Sequence, residues 1–387
     1  MSAERKPDTL ATSAQAAPRP RPRSGTRARR VGDLLEEAGW RPDQVTRNVA
    51  LGVIATPAGE RRKRHHGARD DRAAYVLWPK PGVPAAVVAT VGVQHDPGSA
   101  LPRAIRQAQR LDAPLAYASN GREIVEHFIA SGRTDIVSDF TSPQRAWRAY
   151  ARFHDLRGRG AELLGQWFDQ GALARSGARH GYEAPVELRY YQLVAMNRVL
   201  AAYNRFELKV AGAVPQALVR IAAGAGATVT AIATIAKLVT RALVHQIGQP
   251  FGVLYLDDRP AAMTGLGPLG TTARWGEAGE VTVTLRSVGA GVADPAGLDG
   301  IADLADDQVK LIVVNLAHGG MALDAGTWTP ALDRFPQAFR FGLVDAAVGA
   351  ATPVHHYFGA PVYRYTRANA DADGYLNEGP PAGAAVG

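Results

Sequence analysis

The chain contains no cysteine. That excludes a disulfide framework, a zinc site built on thiolates and a thiol nucleophile, and it agrees with a reducing compartment. Long hydrophobic runs are also missing. The most apolar stretch, residues 210–239, is interrupted by Pro215, Arg220 and several glycines, so it does not read as a membrane span. The opening residues, MSAERKPDTL, lack the apolar core of a secretory signal. These absences lead to the expectation of a soluble, cytoplasmic protein with no membrane partner.

What is present is 387 residues, 46% hydrophobic, enough for two domains with real cores. The net charge of +8 is unevenly spread: residues 1–30 hold +6 and the remainder only +2. The high pI is therefore a property of the tail. Residues 1–26, rich in Pro, Ala, Ser and Arg, lack apolar periodicity and read as a disordered basic tail. Such a tail can touch phosphates or simply be a solvated leader.

Apolar spacing predicts a helix over 29–38. Two apolar runs, 73–78 and 85–91, are separated by Pro-Lys-Pro-Gly and read as a hairpin. A helix over 99–111 and a strand over 115–119 follow, and this first unit closes near residue 180. The second begins with a helix over 187–203. Then come a strand over 217–222, the loop Ala223-Gly224-Ala225-Gly226-Ala227, and a helix over 228–245. Further strands are expected at 252–256, 281–285, 310–315 and 341–344. Strands alternating with helices predict a parallel α/β sheet. Residues 378–387 read as a flexible tail.

The local words resemble one family in one order. RYYQLVAMNRVL (189–200) is similar to the adenine-reading segment at the head of the motor in type I restriction enzyme R subunits. LYLDDR (254–259), KLIVVNLAH (310–318) and YFGAPVYRYTRANADADGYL (357–376) resemble later motor segments. LLEEAGW, AAYVLW, PAAVVATV and YASNGREI resemble the family's N-terminal nuclease domain. The resemblance spans residues 26–377. It implies a degenerate α/β nuclease-like domain of the PD-(D/E)xK type over 27–180. A degenerate first RecA-like P-loop domain of superfamily 2, built on a parallel sheet, would cover 181–377. The family's second RecA-like domain and its C-terminal assembly region have no counterpart here.

The family's catalytic positions carry the wrong side chains. The nuclease needs an Asp on one strand and Glu-x-Lys on the next to hold Mg²⁺ and activate water. Those positions are Ala74, Ala89 and Val91. Asp70 and Asp71 lie nearby but off the strand position. The phosphate loop keeps Gly224, Gly226 and Thr228, yet its lysine is Ala227. That leaves an anion nest at a helix N-terminus or a plain strand-to-helix turn. The Asp-Glu-x-His word reads Asn315-Leu316-Ala317-His318, which removes the Mg²⁺ carboxylate and the water-polarising Glu. The coupling word after Gly342-Leu343 is lost as well. Arg189 and Gln192 occupy the adenine-reading positions, although Gln192 also reads as an exposed helical glutamine. With no catalytic residue intact, no cofactor is expected: at most weak ATP binding through Arg189, Gln192, Gly224, Gly226, Thr228 and His318, and no Mg²⁺.

The expected function is that of an inactive R-subunit homologue, DNA-associated or regulatory, in restriction or phage defence. Its contacts with double-stranded DNA would be non-specific phosphate contacts. They would come from Arg61, Arg62, Lys63, Arg64 and one helical face bearing Arg145, Arg148 and Arg152. Restriction-modification subunits or another motor chain are the expected protein partners. The alternative is a nucleotide-dependent helicase or translocase that uses altered residues or a second chain. Other constellations read as structural. His65-His66 and His355-His356 are adjacent pairs that a strand would point to opposite faces. Ser119-Asn120-Gly121 is a turn, and Asp303, Asp306 and Asp307 form a solvated helix face.

Overall fold

The computed structural model describes residues 29–50, 72–156, 188–245, 251–257, 273–274, 280–281, 283–287, 309–317, 325–349 and 351–373. The two tails, the 61–64 basic run, His65-His66, Asp70-Asp71, the Asp303–Asp307 cluster, His318 and the boundary near residue 180 lie outside them. Among the described residues no helix is long and apolar enough to cross a membrane.

The first half is a mixed sheet with helices against both faces. Its elements are α1 (Val31–Glu37), β1 (Val45–Ala50), β2 (Arg72–Leu77), β3 (Ala86–Thr90), α2 (Leu101–Arg110), β4 (Leu115–Ser119), β5 (Ile124–Phe128), β6 (Thr134–Val137) and α3 (Pro143–Phe153). The strands pair in sequence order. Only β3–β4 is parallel, with α2 in the crossover between them. The predicted hairpin is present as β2–β3. Strands β1, β5 and β6 are additional to those read from the sequence. Side-chain alternation gives each face its own partner. On one face Val87, Ala89, Ala116 and Ala118 meet Ala104 and Ala108 of α2, and these small residues make an alanine-rich layer. The other face packs Leu77, Val88 and Tyr117 against Leu35, Trp40 and Tyr150. Helix α3 begins where Ser142 caps the Arg145 N–H and Pro143 takes the first helical position.

The second half is a parallel sheet. It comprises α4 (Tyr190–Glu207), β7 (Gln216–Ile221), α5 (Ala227–His245), β8 (Gly252–Asp257), β9 (Ala273–Arg274), β10 (Glu280–Val281), β11 (Val283–Ser287), β12 (Val309–Leu316), α6 (Thr329–Arg334), β13 (Phe339–Asp345), α7 (Pro353–Phe358), β14 (Tyr363–Tyr365) and α8 (Arg367–Asp373). The strand order is β11-β8-β12-β13-β7-β14, and every pairing is parallel. β9 and β10 form a separate two-residue antiparallel ladder. β12 is a nearly continuous apolar run, as a strand covered on both faces must be. One expectation is corrected. His355 and His356 lie on α7, a helix rather than a strand, so the alternation argument does not apply to them.

Helix α4 joins the two halves. Eleven of its 18 residues are buried. Asn197 donates to the Gly82 carbonyl at 3.0 Å. Arg198 grips Asp112 through Nε at 2.5 Å and through a second guanidinium nitrogen at 2.6 Å. Arg205 reaches Asp155 at 2.7 Å. At the other end of the chain, buried Asp373 accepts from the Tyr190 hydroxyl and pairs with Arg110 at 3.2 Å.

His154 sits beneath this interface, with Nε2 at 3.0 Å from the Asp112 carbonyl. Burial lowers its pKa below the usual 6.5, and the Asp112 carboxylate only partly opposes the shift. The unfolded chain then binds more protons at this position than the folded one. The stability contributed by the neutral ring is complete above about pH 6.5 and is lost as pH falls through the lowered folded value. Denaturant titrations at pH 7.5 and 5.5 are expected to show a smaller loss of stability on acidification for His154→Gln than for the parent. Equal losses would remove His154 from the linkage.

Candidate functional site

The carboxyl edge of the parallel sheet gathers the chemically interesting groups. A parallel strand, a tight loop and a helix bring backbone N–H groups to that edge. Residues 222–226 form the loop between β7 and α5. Gly224 and Gly226 have φ of +79° and +87°, a region that favours glycine. At Gly226 a methyl group would also collide with the side-chain amide of Gln192.

Gln192 is not the exposed glutamine that helical position alone suggests. It is 4% exposed. Its Nε2 donates to the Ala225 carbonyl at 3.1 Å, and its Oε1 accepts from the Arg189 backbone N–H at 2.9 Å. Tyr191 donates to the same Ala225 carbonyl at 2.8 Å and accepts from Arg189 at 3.0 Å. The Tyr191 ring stacks on Tyr365, with centroids 3.8 Å apart and planes within 9°. Arg189, Gln192, Gly224, Gly226 and Thr228 are therefore brought together. Ala227 opens α5 and is buried in the main apolar core.

Beside Thr228 lies a polar cluster. Asn315, at the end of β12, is paired in register with Asp257 at the end of β8. Both are fully buried. The Asn315 Nδ2 group lies 2.7 Å from Asp257 Oδ2, 3.0 Å from the Tyr255 hydroxyl and 3.2 Å from Thr228 Oγ1, three acceptors sharing its two hydrogens. Tyr255 also donates to Asp257 Oδ2 at 2.9 Å. Burial and the Asp257 charge push the Tyr255 phenol well above its usual range. The next residue, Leu316, points into an apolar cluster with Leu218, Leu256 and Trp328. Thr228 thus faces an amide group at position 315, and Asp257 is the single carboxylate of this cluster. With no second carboxylate at position 315, these residues fit a Mg²⁺ ion poorly.

Three buried groups are not apparent from the sequence motifs, two of them in this cluster and Lys237 further along α5. Asp257 lies inside a quoted motor word and Tyr255 two residues before it. Lys237 is the single charged residue between Arg220 and Arg241. Burial lowers the Lys237 pKa to about 8. Its interruption of a long apolar helix was the signal that could have found it.

In the first half, Ala89 is buried in the alanine-rich layer against α2, and Val91 packs at its margin. Ala74 is one residue from the β2–β3 pair Tyr75↔Val88 and shares a face with Val76. The buried carboxylate of this sheet, Glu126, accepts from Tyr117. Tyr117 and its neighbour Val88 belong to the opposite face. Among the described residues no group of three or more His, Asp or Glu is placed to hold a metal ion. Arg145, Arg148 and Arg152 are all exposed on α3, where their spacing places them on one side of the helix.

Fold and site together define an α/β protein whose parallel sheet carries a glycine-rich loop at its carboxyl edge. The comparisons agree with the resemblance read from the sequence. The chain is similar to the type I restriction enzyme EcoAI endonuclease subunit of Escherichia coli, 28% identical over 326 residues, covering 78% of this chain and 36% of that protein. It spans about a third of that relative's length. Its fold is similar to the fragment structure assigned as an HsdR subunit of a type I restriction enzyme from Vibrio vulnificus YJ016. That match has a TM-score of 0.60 and 21% identity, and covers 87% of this chain and 57% of the other. No family model matches the chain.

Asn315→Asp would set a second carboxylate against buried Asp257. It is expected to lower stability by about 2 kcal/mol or more at pH 8, with recovery toward pH 5 as one raised carboxyl takes up a proton. Denaturant midpoints at the two pH values check this. A variant as stable as the parent at pH 8 would show that the cluster tolerates two charges.

Proposed function

We propose that the chain is a non-catalytic relative of type I restriction R subunits that associates with DNA. On this reading the first half is a nuclease-like domain and the second a RecA-like domain carrying a degenerate P-loop. One observation carries it: the Asn315 amide donates to Thr228 and Asp257 where the family's chemistry calls for a carboxylate and Mg²⁺. The amide offers hydrogens to these oxygens and brings no negative charge. Ala227 supplies no charge for a β- or γ-phosphate, and Leu316 cannot polarise water. Ala74, Ala89 and Val91 offer the first half no oxygen ligand. Several such losses acting as a unit leave little transition-state stabilisation.

The retained chemistry is basic and exposed. Arg145, Arg148 and Arg152 have the spacing and exposure of phosphate contacts. The similar proteins are subunits of type I restriction enzymes, and a role beside restriction-modification subunits is the partner reading that follows. The second reading is a nucleotide-dependent motor completed by another chain. Its support is the kept loop geometry and Thr228.

Two measurements separate these. The purified chain is expected to show no ATP hydrolysis and little heat on titration with Mg²⁺ and ATP, while Ala227→Lys tightens nucleotide binding. Hydrolysis abolished by Thr228→Ala would favour the motor. In anisotropy titrations with duplex DNA, binding should weaken steeply with salt. Changing Arg145, Arg148 and Arg152 together to Ala should reduce the salt slope by roughly 0.9 per lost phosphate contact. No DNA affinity at low salt would end the DNA reading.

A further inference from the structure

A second basic feature lies away from α3, between the two halves. A cleft of about 390 Å³ has Arg106, Gln109 and Arg110 of α2 on one wall, and Tyr363, Arg364 and Asn369 from β14 and α8 on the other. Tyr190 and Tyr365 complete its lining. Arg106 and Arg364 are exposed. Neither makes an ion pair among the described residues.

The carboxylate nearest this cleft is withdrawn from it. Asp373 is 1% exposed. It accepts from the Tyr365 hydroxyl at 2.8 Å and from Tyr190, and Arg110 pairs with it at 3.2 Å. Burial, followed by the hydrogen bond to Asp373, pushes both phenols far up, so they stay neutral donors. The acid is compensated below, while the two guanidiniums above it make no ion pair among the described residues. Asn369 adds a donor: its Oδ1 is taken by the Thr366 N–H at 3.0 Å and the Thr366 hydroxyl at 2.6 Å, which leaves its NH₂ group to face an acceptor.

We propose that this cleft binds the phosphodiester backbone of a single nucleic-acid strand, with Arg106 and Arg364 contacting phosphates from opposite halves of the molecule. Guanidinium groups match phosphate oxygens in a bidentate fork. The partly buried Tyr363 ring lines the cleft and can offer a base an edge or face to stack on without reading its identity. A space of about 390 Å³ suits a short stretch of one strand. The strand is favoured over a free nucleotide because the two guanidiniums come from opposite walls of the cleft. The inference rests on the DNA-associated reading and assigns it a second, strand-specific contact.

The test is anisotropy of a labelled oligo-dT across a salt series with the full chain. The parent is compared with Arg106→Ala/Arg364→Ala, with Arg106→Lys/Arg364→Lys, and with the α3 triple-alanine variant. Removing both cleft arginines is expected to weaken binding about tenfold. It should also reduce the salt slope by about 1.4, two contacts at about 0.7 each for a single strand. The lysine pair should restore most of the slope, and matching thermal melts exclude unfolding. Unchanged oligo-dT binding in the cleft variant, with loss in the α3 variant, overturns the cleft and leaves the DNA reading standing. No nucleic-acid binding by the parent removes both. Competition by thymidine monophosphate as effective, per nucleotide, as the oligomer would assign the cleft to a free nucleotide and overturn the strand.

Discussion

The burial of α4 between two sheets is the constraint on which the rest of the structure depends. A helix with eleven buried residues cannot stand on one sheet alone. It supplies a common core in which Tyr191, Val199 and Leu200 belong to the same apolar cluster as Leu77 and Tyr117 on one side and Val219 and Phe341 on the other. Charged contacts then fix its register. Arg198 on Asp112 and Arg205 on Asp155 are made across chain segments far apart in sequence. With the arginines more than a third exposed, such pairs add little net stability. The apolar cluster supplies most of the driving force.

The same helix carries the groups that shape the loop. Gln192 and Tyr191 both donate to one carbonyl, that of Ala225. The loop is held from above by side chains that keep two donors on it. Below it, Asn315 and Tyr255 keep donors on Asp257. Satisfying a buried carboxylate with two neutral donors is a stable arrangement. Asp257 Oδ2 is thus occupied by the protein's own hydrogens.

Much of this was legible in the sequence, for definable reasons. The parallel strands are apolar on both faces, so runs such as Lys310–Leu316 stood out. The glycine loop was visible because two glycines and a following apolar helix have few other uses. The short strands β1, β5 and β6 were not legible: β6 alternates between exposed and half-buried residues and contains Asp135, which carries little strand signal. Gln192 was open to misreading because helical position alone does not show that a loop folds over it from 33 residues away. Asp257 was passed over because a carboxylate ending a buried strand looks like the start of a loop. Only the register of β8 with β12 brings it to Asn315. The cleft between α2 and α8 joins residues more than 250 positions apart, a pairing without local signature.

The bond from Tyr190 to Asp373 spans 183 residues and closes at the last described helix. Contacts of such separation form late, because the intervening chain must be ordered before they repay the entropy of closure. During synthesis the first sheet can complete itself while α4 still lacks half of its surroundings. The exposed face of α4 must wait for β14 and α8 to leave the ribosome. Until then the nascent chain displays the uncovered apolar side of α4 with its Tyr-rich head, a surface of the kind that chaperones engage and that aggregates when left uncovered.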